Sequence, residues 1–331
     1  MENPTTDKTQ GATATATNNS VEPLPADFPF VEIGHPDTMM SKESVRRAVE
    51  EFHVRPTDIV VATFAKTGTT LVTWICHLLR SKASTSVLEE METLYEAVPW
   101  PLLSWDIGYD PNHNQIAYGA PPRLFKSHLR MASIYRGCRY IVTIRDPAKT
   151  ALSFYNFFLA KQVPVAQEMN VSQFLMTTPF IQGRPGRASL WDYYQEYHLL
   201  KECSSVLVLV YEDLVKDMPK HIHMIAKFMN VAHDQDLIDK VATMSSKTYM
   251  AQFMTKFDEP YERAKELGRV GDLSQLAPGA KVVVQKHPQV LNEEAHLFLD
   301  EKWKQSMAPL AYENYQAFAE TFRSINQQRF S

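Results

Sequence analysis

Cysteine is scarce in this chain. Its three cysteines, Cys76, Cys138 and Cys203, are odd in number and widely separated, which excludes a disulfide framework and predicts buried structural thiols in a reducing, cytoplasmic setting. No apolar stretch approaches the length needed to cross a bilayer. The opening Met-Glu-Asn-Pro-Thr lacks the basic-then-apolar layout of a secretory signal and is not an Arg-rich transit peptide. Neither sign of charge dominates: 34 Lys and Arg stand against 38 Asp and Glu, for a net charge of −4. This balance supports no nucleic-acid or membrane-surface partner, so positive charge for an anionic ligand has to be gathered locally. With only 11 glycines and 44% apolar residues in 331, the composition fits a packed globular chain.

The informative stretch is 58–80. The β-branched run Ile59-Val60-Val61 breaks into Lys66-Thr67-Gly68-Thr69-Thr70, and a helical apolar pattern follows at once. A strand, a short loop and a helix N-terminus present backbone N–H groups and the positive end of a helix dipole to an anion. Lys66 adds a full charge, the threonines add hydroxyls, and Gly68 lets backbone approach a ligand without a Cβ. The loop is not a Walker A sequence, since its lysine precedes the glycine instead of following it. The alternative is an ordinary strand-to-helix turn with threonine caps.

Two further segments end the same way. Arg123-Leu-Phe-Lys126-Ser-His128 reads as a short strand, and Tyr140 to Ile144 as a buried one that meets Arg145, turns through Asp146-Pro147 and enters a helix carrying Ser153. A fourth, continuously apolar strand, residues 206–211, suits a parallel sheet. Lys66, Lys126, His128 and Arg145 would all open at the strand ends, where open α/β sheets bind ligands. Residues 1–27, poor in large apolar groups before Val21, read as a disordered tail. Ser41 caps a first helix over 41–53, and helices are expected at 219–230, 234–245 and from Glu293 to Gln328. The aromatic segment 91–122, with Tyr95, Trp100, Trp105, Tyr109 and Tyr118, either hangs over the strand ends or fills a small core of its own. Residues 161–202 read as helices. Their stripe of Trp191, Tyr193, Tyr194 and Tyr197 is at helical spacing, which favours core over ligand wall. Residues 268–288, rich in Gly and Pro, suggest a loop or lid. No internal repeat or linker divides 28–331, so one domain is expected.

With these segments in order, the chain resembles the cytosolic-type sulfotransferases that use 3′-phosphoadenosine 5′-phosphosulfate (PAPS). The family loop Tyr-Pro-Lys-Ser-Gly-Thr-Thr-Trp stands here as Phe64-Ala65-Lys66-Thr67-Gly68-Thr69-Thr70-Leu71. The Lys-Thr/Ser-His strand end is Lys126-Ser127-His128, the Arg and Ser eight residues apart are Arg145 and Ser153, and Tyr-Glu-Asp is Tyr211-Glu212-Asp213. The resemblance covers residues 28 to 260. It implies an α/β, P-loop-like three-layer sandwich with a central parallel sheet flanked by helices, and an enzyme that moves a sulfo group in line to a hydroxyl or amine of a small-molecule acceptor.

The resemblance also assigns roles. His128 would be the general base, Lys66 would stabilise charge on the bridging oxygen, and Lys126 would touch the sulfonate and 5′-phosphate. The loop from Lys66 to Leu71 would bind the nucleotide, Arg145 and Ser153 the 3′-phosphate, and Tyr211 would lie near the adenine. Without the resemblance, His128 reads as a core histidine and Ser153 as a packing residue. The acceptor would enter near Phe28 and Phe30, Trp100, Trp105, and Phe157 and Phe158. No histidine spacing suggests a metal.

Three departures stand out. Leu71 replaces the tryptophan that stacks on adenine, Ala65 replaces a proline, and only Arg269-Val270-Gly271-Asp272 matches the family's C-terminal Arg-Lys-Gly element, with Lys281 and Lys286 as alternatives. A dimer motif is at most vestigial at Lys286 to Glu294, so monomer and homodimer both stand. The rivals are an ATP- and Mg²⁺-dependent small-molecule kinase, for which the Gly-Lys-Ser/Thr loop and an acidic metal ligand are missing, and a non-catalytic protein that binds adenosine bisphosphate.

Overall fold

A computed structural model describes residues 22–30, 40–113, 120–268 and 289–331. The lid candidates Arg269, Gly271, Lys281 and Lys286 lie outside the described residues, as does Tyr118.

The four apolar runs form β1 (Ile59–Ala62), β2 (Leu124–Ser127), β3 (Arg139–Ile144) and β4 (Val206–Val210). They pair in parallel in the order β2-β1-β3-β4. A parallel sheet needs crossover helices and is covered on both faces, so nearly every strand residue is buried. The long helices are α1 (Lys42–Glu50), α2 (Thr69–Arg80), α3 (Pro147–Ala160), α4 (Leu190–Leu199), α5 (Met218–Met229), α6 (Gln235–Met244), α7 (Glu293–Ser306) and α8 (Tyr315–Phe330).

Because side chains alternate across a strand, each strand feeds two cores. Val60, Ala62, Tyr140, Val142 and Val208 join the layer holding α3, α4, α7 and α8. Ile59, Val61, Ile141, Leu207 and Leu209 join the layer of α2, α5 and α6. The result is the expected three-layer α/β sandwich. At the N-terminal end of the sheet, Asp58 is fully buried and takes a fork from Arg123, Nη2 at 2.6 Å and Nε at 3.0 Å, which holds the start of β1 to β2.

Helix boundaries fall close to expectation. Ser41 caps α1 by accepting from the Ser44 amide at 3.0 Å, and Glu293 to Gln328 divides into α7 and α8 around a short turn. The aromatic segment after α2 is less irregular than it reads, since it contains single helical turns at Leu94–Ala97 and Pro101–Ser104. The tail reading needs correction over 22–27. Leu24 is buried, and Glu22 accepts from the Ser204 amide at 3.1 Å, because one leucine at that position is enough to seal the adjacent core. The three cysteines are buried thiols, and burial pushes Cys138 up to about 12.

Helix α2 ends in a buried polar pair. Arg80 donates to the carbonyls of Ala97 (2.5 Å) and Pro122 (3.2 Å) and to His77 Nδ1 (3.4 Å), tying the helix to both ends of the aromatic segment. Burial, with the Arg80 charge adding to it, drives the His77 pKa down to about 3. Below pH 6.5 the unfolded chain therefore takes up a proton that the fold refuses, and stability must fall as pH falls from 6.5 toward 3. Between pH 6.5 and 4.5 this amounts to on the order of 2 kcal/mol. His77→Gln should flatten that part of the curve in urea titrations across this window. An unchanged pH dependence would contradict the assignment.

Candidate active site

The sheet changes winding direction between β1 and β3. From β1 the chain crosses to β2 on one side, and from β3 it crosses to β4 on the other. The loops leaving two such neighbouring strands diverge and open a crevice at their C-terminal ends. The loop after β1 carries Lys66 to Thr70 and the turn after β3 carries Arg145.

The first loop is held open from within. Thr67 Oγ1 donates to Phe64 O (2.7 Å) and contacts Thr143 Oγ1 (2.7 Å), and Thr69 Oγ1 contacts Thr63 Oγ1 (2.5 Å). The hydroxyls of Thr67 and Thr69 thus serve the loop's own shape; an anion would meet backbone amides instead. Gly68 is the N-cap of α2 with φ +118°, a region that favours glycine, and it provides no side-chain cap. Every other helix labelled above has a side-chain oxygen on its first-turn amides. Among these, α2 alone leaves that position to something else. Lys66 itself sits at φ 69°, a left-handed conformation that costs a non-glycine residue about 1–2 kcal/mol.

Arg145 locks this strained residue, since its Nη1 donates to Lys66 O at 2.7 Å. Its guanidinium lies over the Tyr211 ring, 4.4 Å from the centroid. That ring packs against Gly68 so closely that a Cβ there would stand 2.5 Å from Tyr211 Cδ2. Tyr211 is the first residue of the short helix after β4, so tips of β1, β3 and β4 meet in one stack. Arg145 Nε is buried and has no hydrogen-bond partner among the described residues, an N–H that an anion would satisfy.

His128 closes the other side. Its Nδ1 lies 2.9 Å from Thr63 O; a carbonyl only accepts, so the neutral ring carries its proton on Nδ1 and its lone pair on Nε2. Its ring meets Trp100 edge-on with centroids 5.1 Å apart. Lys126 lies over the same indole at 4.2 Å and donates to Tyr95 Oη at 2.6 Å. Lys66 Nζ lies over the Phe157 ring at 4.0 Å. Thr70 lines a small pocket with Thr73, Tyr95, Lys126 and Phe257. Leu71 is half-buried at the edge of the α2 layer. Tyr249 and Phe253 pack on that same layer and against each other, with centroids 5.4 Å apart. Ser153 is half-buried on α3.

The acceptor set needs revision. Trp100 is at the site, but Trp105 packs under Arg47 of α1, 5.0 Å from its ring, because the helical turn Pro101–Ser104 rotates it toward α1. Phe30 is exposed and lies by Arg136, as does Phe28. That is the end of the sheet where β3 begins, opposite the tips, so Phe30 is withdrawn. Phe158 packs into a cluster with Phe174 and Phe180, the latter at 4.5 Å. One position along the helix is a turn of about 100°, which leaves Phe157 as the ring that faces Lys66. Sequence reasoning also passed over Glu259. Its carboxylate is buried, accepts from Tyr95 Oη at 3.0 Å and lies 3.5 Å from Lys126. No motif marks it, because tertiary folding alone brings the Lys256 to Glu259 segment to β2.

Residues 56–308 match the family described as sulfotransferase domain. The chain is similar to the 3-alpha-hydroxysteroid sulfotransferase of Cavia porcellus, 26% identical over 228 residues, covering 67% of this chain and 76% of that one. It is 28% identical over 199 residues to human Sulfotransferase 1E1, covering 58% of this chain and 66% of that one. The alignment with the latter therefore spans slightly less than two thirds of the relative's length. Among solved structures, mouse sulfotransferase SULT7A1 complexed with PAP superposes with a TM-score of 0.54 at 17% identity, over 88% of this chain and 95% of that one. Retinol dehydratase in complex with androsterone and inactive cofactor PAP gives 0.54 at 16%, over 90% of each chain. The structural matches carry the fold, and the family match spans well over half of the sequence. This chain belongs to the sulfotransferase domain family.

Proposed function

We propose that this chain transfers the sulfo group of PAPS to a hydroxyl or amine of a small-molecule acceptor, with His128 as general base. The observation that carries the reading is a pair of donor groups at the β1/β3 crevice: among the described residues, the first-turn amides of a long helix have no side-chain cap, and the buried Nε of Arg145 has no partner. Two anion-seeking groups on neighbouring strand tips suit a nucleotide that carries two separate phosphates. The relatives are named sulfotransferases, and two structural neighbours hold PAP.

In this reading the amides after Gly68, with Lys66 and Lys126, hold the 5′-phosphosulfate. Arg145 takes the 3′-phosphate with Ser153, and Tyr211 flanks the adenine. His128 Nε2 receives the acceptor proton while the acceptor oxygen or nitrogen bonds to sulfur. The bond from sulfur to the 5′-phosphate oxygen breaks in line, and Lys66 and Lys126 stabilise charge on the leaving oxygen and the equatorial oxygens. Adenosine 3′,5′-bisphosphate leaves. Trp100 and Phe157 wall the acceptor side, with Glu259 and Tyr95 fixing Lys126 between them.

Incubation with PAPS and a panel of phenols, alcohols, steroids and amines, read by mass spectrometry, should yield a sulfated product. ATP with Mg²⁺ should yield no phosphorylated one, with or without chelator. Binding of adenosine bisphosphate with no transfer to any acceptor would favour the non-catalytic reading instead. His128→Ala should lower turnover by about 10²–10⁴-fold while calorimetric binding of adenosine 3′,5′-bisphosphate changes little; parallel loss of both would sink the base assignment. Arg145→Ala removes a charge-assisted contact worth about 1.5–3 kcal/mol. It should raise the KM for PAPS at least about tenfold and leave the acceptor KM nearly unchanged; equal rises in both would count against the 3′-phosphate role.

A further inference from the structure

The aromatic stripe of α4 fills core, yet its hydroxyls end on the strand tips. Tyr193 Oη donates to the carbonyl of His128 at 2.6 Å. Tyr194 Oη donates to the carbonyl of Arg145 and accepts the Arg145 amide at 3.1 Å. Tyr197 Oη donates to the carbonyl of Ala62 at 3.3 Å. The three rings are buried, and burial raises all three phenol pKa values, so each remains a donor at neutral pH.

Each acceptor lies at or just past the end of a different strand: Ala62 closes β1, His128 follows β2 and Arg145 follows β3. Beyond the last rung of a ladder, backbone groups lose their sheet partners, and the loops would be free to reorient there. A tyrosine has two side-chain torsions and a rigid ring, so a packed one fixes its hydroxyl at a set distance from the helix axis. Phenylalanine would fill nearly the same core volume. What the hydroxyls add is the tether. The same helix binds the segment after His128 a second time, for Glu196 accepts from the Ala132 amide at 3.3 Å and from Arg130. Its own start is fixed by the Ser189–Asp192 capping box.

We infer that Tyr193 and Tyr194 are positioning residues for sulfo transfer: Tyr193 sets the general base and Tyr194 sets the 3′-phosphate arginine, each through the backbone carbonyl it holds. The inference rests on the sulfotransferase reading above. It separates the two effects, since one tether serves proton transfer and the other serves nucleotide binding. Tyr197, whose longer bond ends on Ala62 and on neither the base nor the arginine, is the internal control.

The test compares Tyr193→Phe, Tyr194→Phe and Tyr197→Phe in the full chain, reading kcat, the KM for PAPS, calorimetric binding of adenosine 3′,5′-bisphosphate, and Tm. Tyr193→Phe should lower kcat up to about tenfold, the loss of roughly one hydrogen bond, with bisphosphate affinity within about twofold of wild type. Tyr194→Phe should weaken bisphosphate binding and raise the PAPS KM about 5–10-fold, the loss of roughly one hydrogen bond, with kcat at saturation nearly unchanged. Tyr197→Phe should move each quantity less than about threefold. Equal changes in kcat and KM in all three, tracking Tm, would overturn the inference. Should Tyr194→Phe not fold, hydrogen exchange at the Arg145 amide in the wild-type protein decides: slow exchange without nucleotide supports the tether, and fast exchange overturns it. A wild-type protein that neither binds the bisphosphate nor transfers a sulfo group would sink the functional reading itself, whereas an active wild type with indifferent variants would sink the positioning roles alone.

Discussion

The bond from Arg145 to the carbonyl of Lys66 is the interaction on which the site depends. It joins the tips of two neighbouring strands whose onward connections run in opposite directions. It also offsets the strained left-handed backbone of Lys66, and it turns the guanidinium so that its face lies on Tyr211. Tyr211 in turn occupies the space that a side chain at position 68 would need. Glycine, arginine and tyrosine from three separate strand ends therefore specify one another's positions. Removing any one of them releases the other two.

The remaining chemistry hangs on the same edge. Thr63, directly before the loop, gives its carbonyl to His128 Nδ1, which fixes the tautomer that leaves Nε2 basic. The Thr63 hydroxyl also shares a hydrogen bond with that of Thr69 in the first turn of α2. A single residue thus couples the Lys66 to Thr70 loop to the imidazole. The lysines are set differently, by aromatic faces: Phe157 under Lys66 and Trp100 under Lys126. A cation over a ring keeps its charge and gains about 0.5–2 kcal/mol without a fixed donor–acceptor geometry. Such an ammonium can still shift toward a ligand, which a tight buried ion pair would resist. Lys126 carries both kinds of contact, with Glu259 at 3.5 Å.

Much of this was legible in the amino-acid order. The β-branched runs, the glycine after Lys66 and the Asp146-Pro147 helix start are local signals, and they gave strands, loop and helix within a residue or two. The parallel arrangement followed from continuous apolar strands separated by helical stretches. What misled was direction. Trp105 and Phe30 are aromatic and near the right elements, but the first faces α1 and the second the far end of the sheet. Phe157 and Phe158 cannot be told apart by composition, and only the turn of α3 selects Phe157. Tyr193, Tyr194 and Tyr197 read as a core stripe, which they are, because periodicity reports the ring and is blind to where its hydroxyl ends.

The sequence by itself determined the local elements, the loop from Lys66 to Thr70 and the strand-end cations, since those follow from short-range sterics, charge and hydrophobic period. Tertiary structure alone decided which of those groups meet. The meeting of Gly68 with Tyr211, of Glu259 with Lys126, and of α4 with three strand tips spans 143, 133 and up to 135 residues respectively. Contacts at such separations depend on how the sheet is ordered and which way each helix turns, quantities that no local window of residues contains.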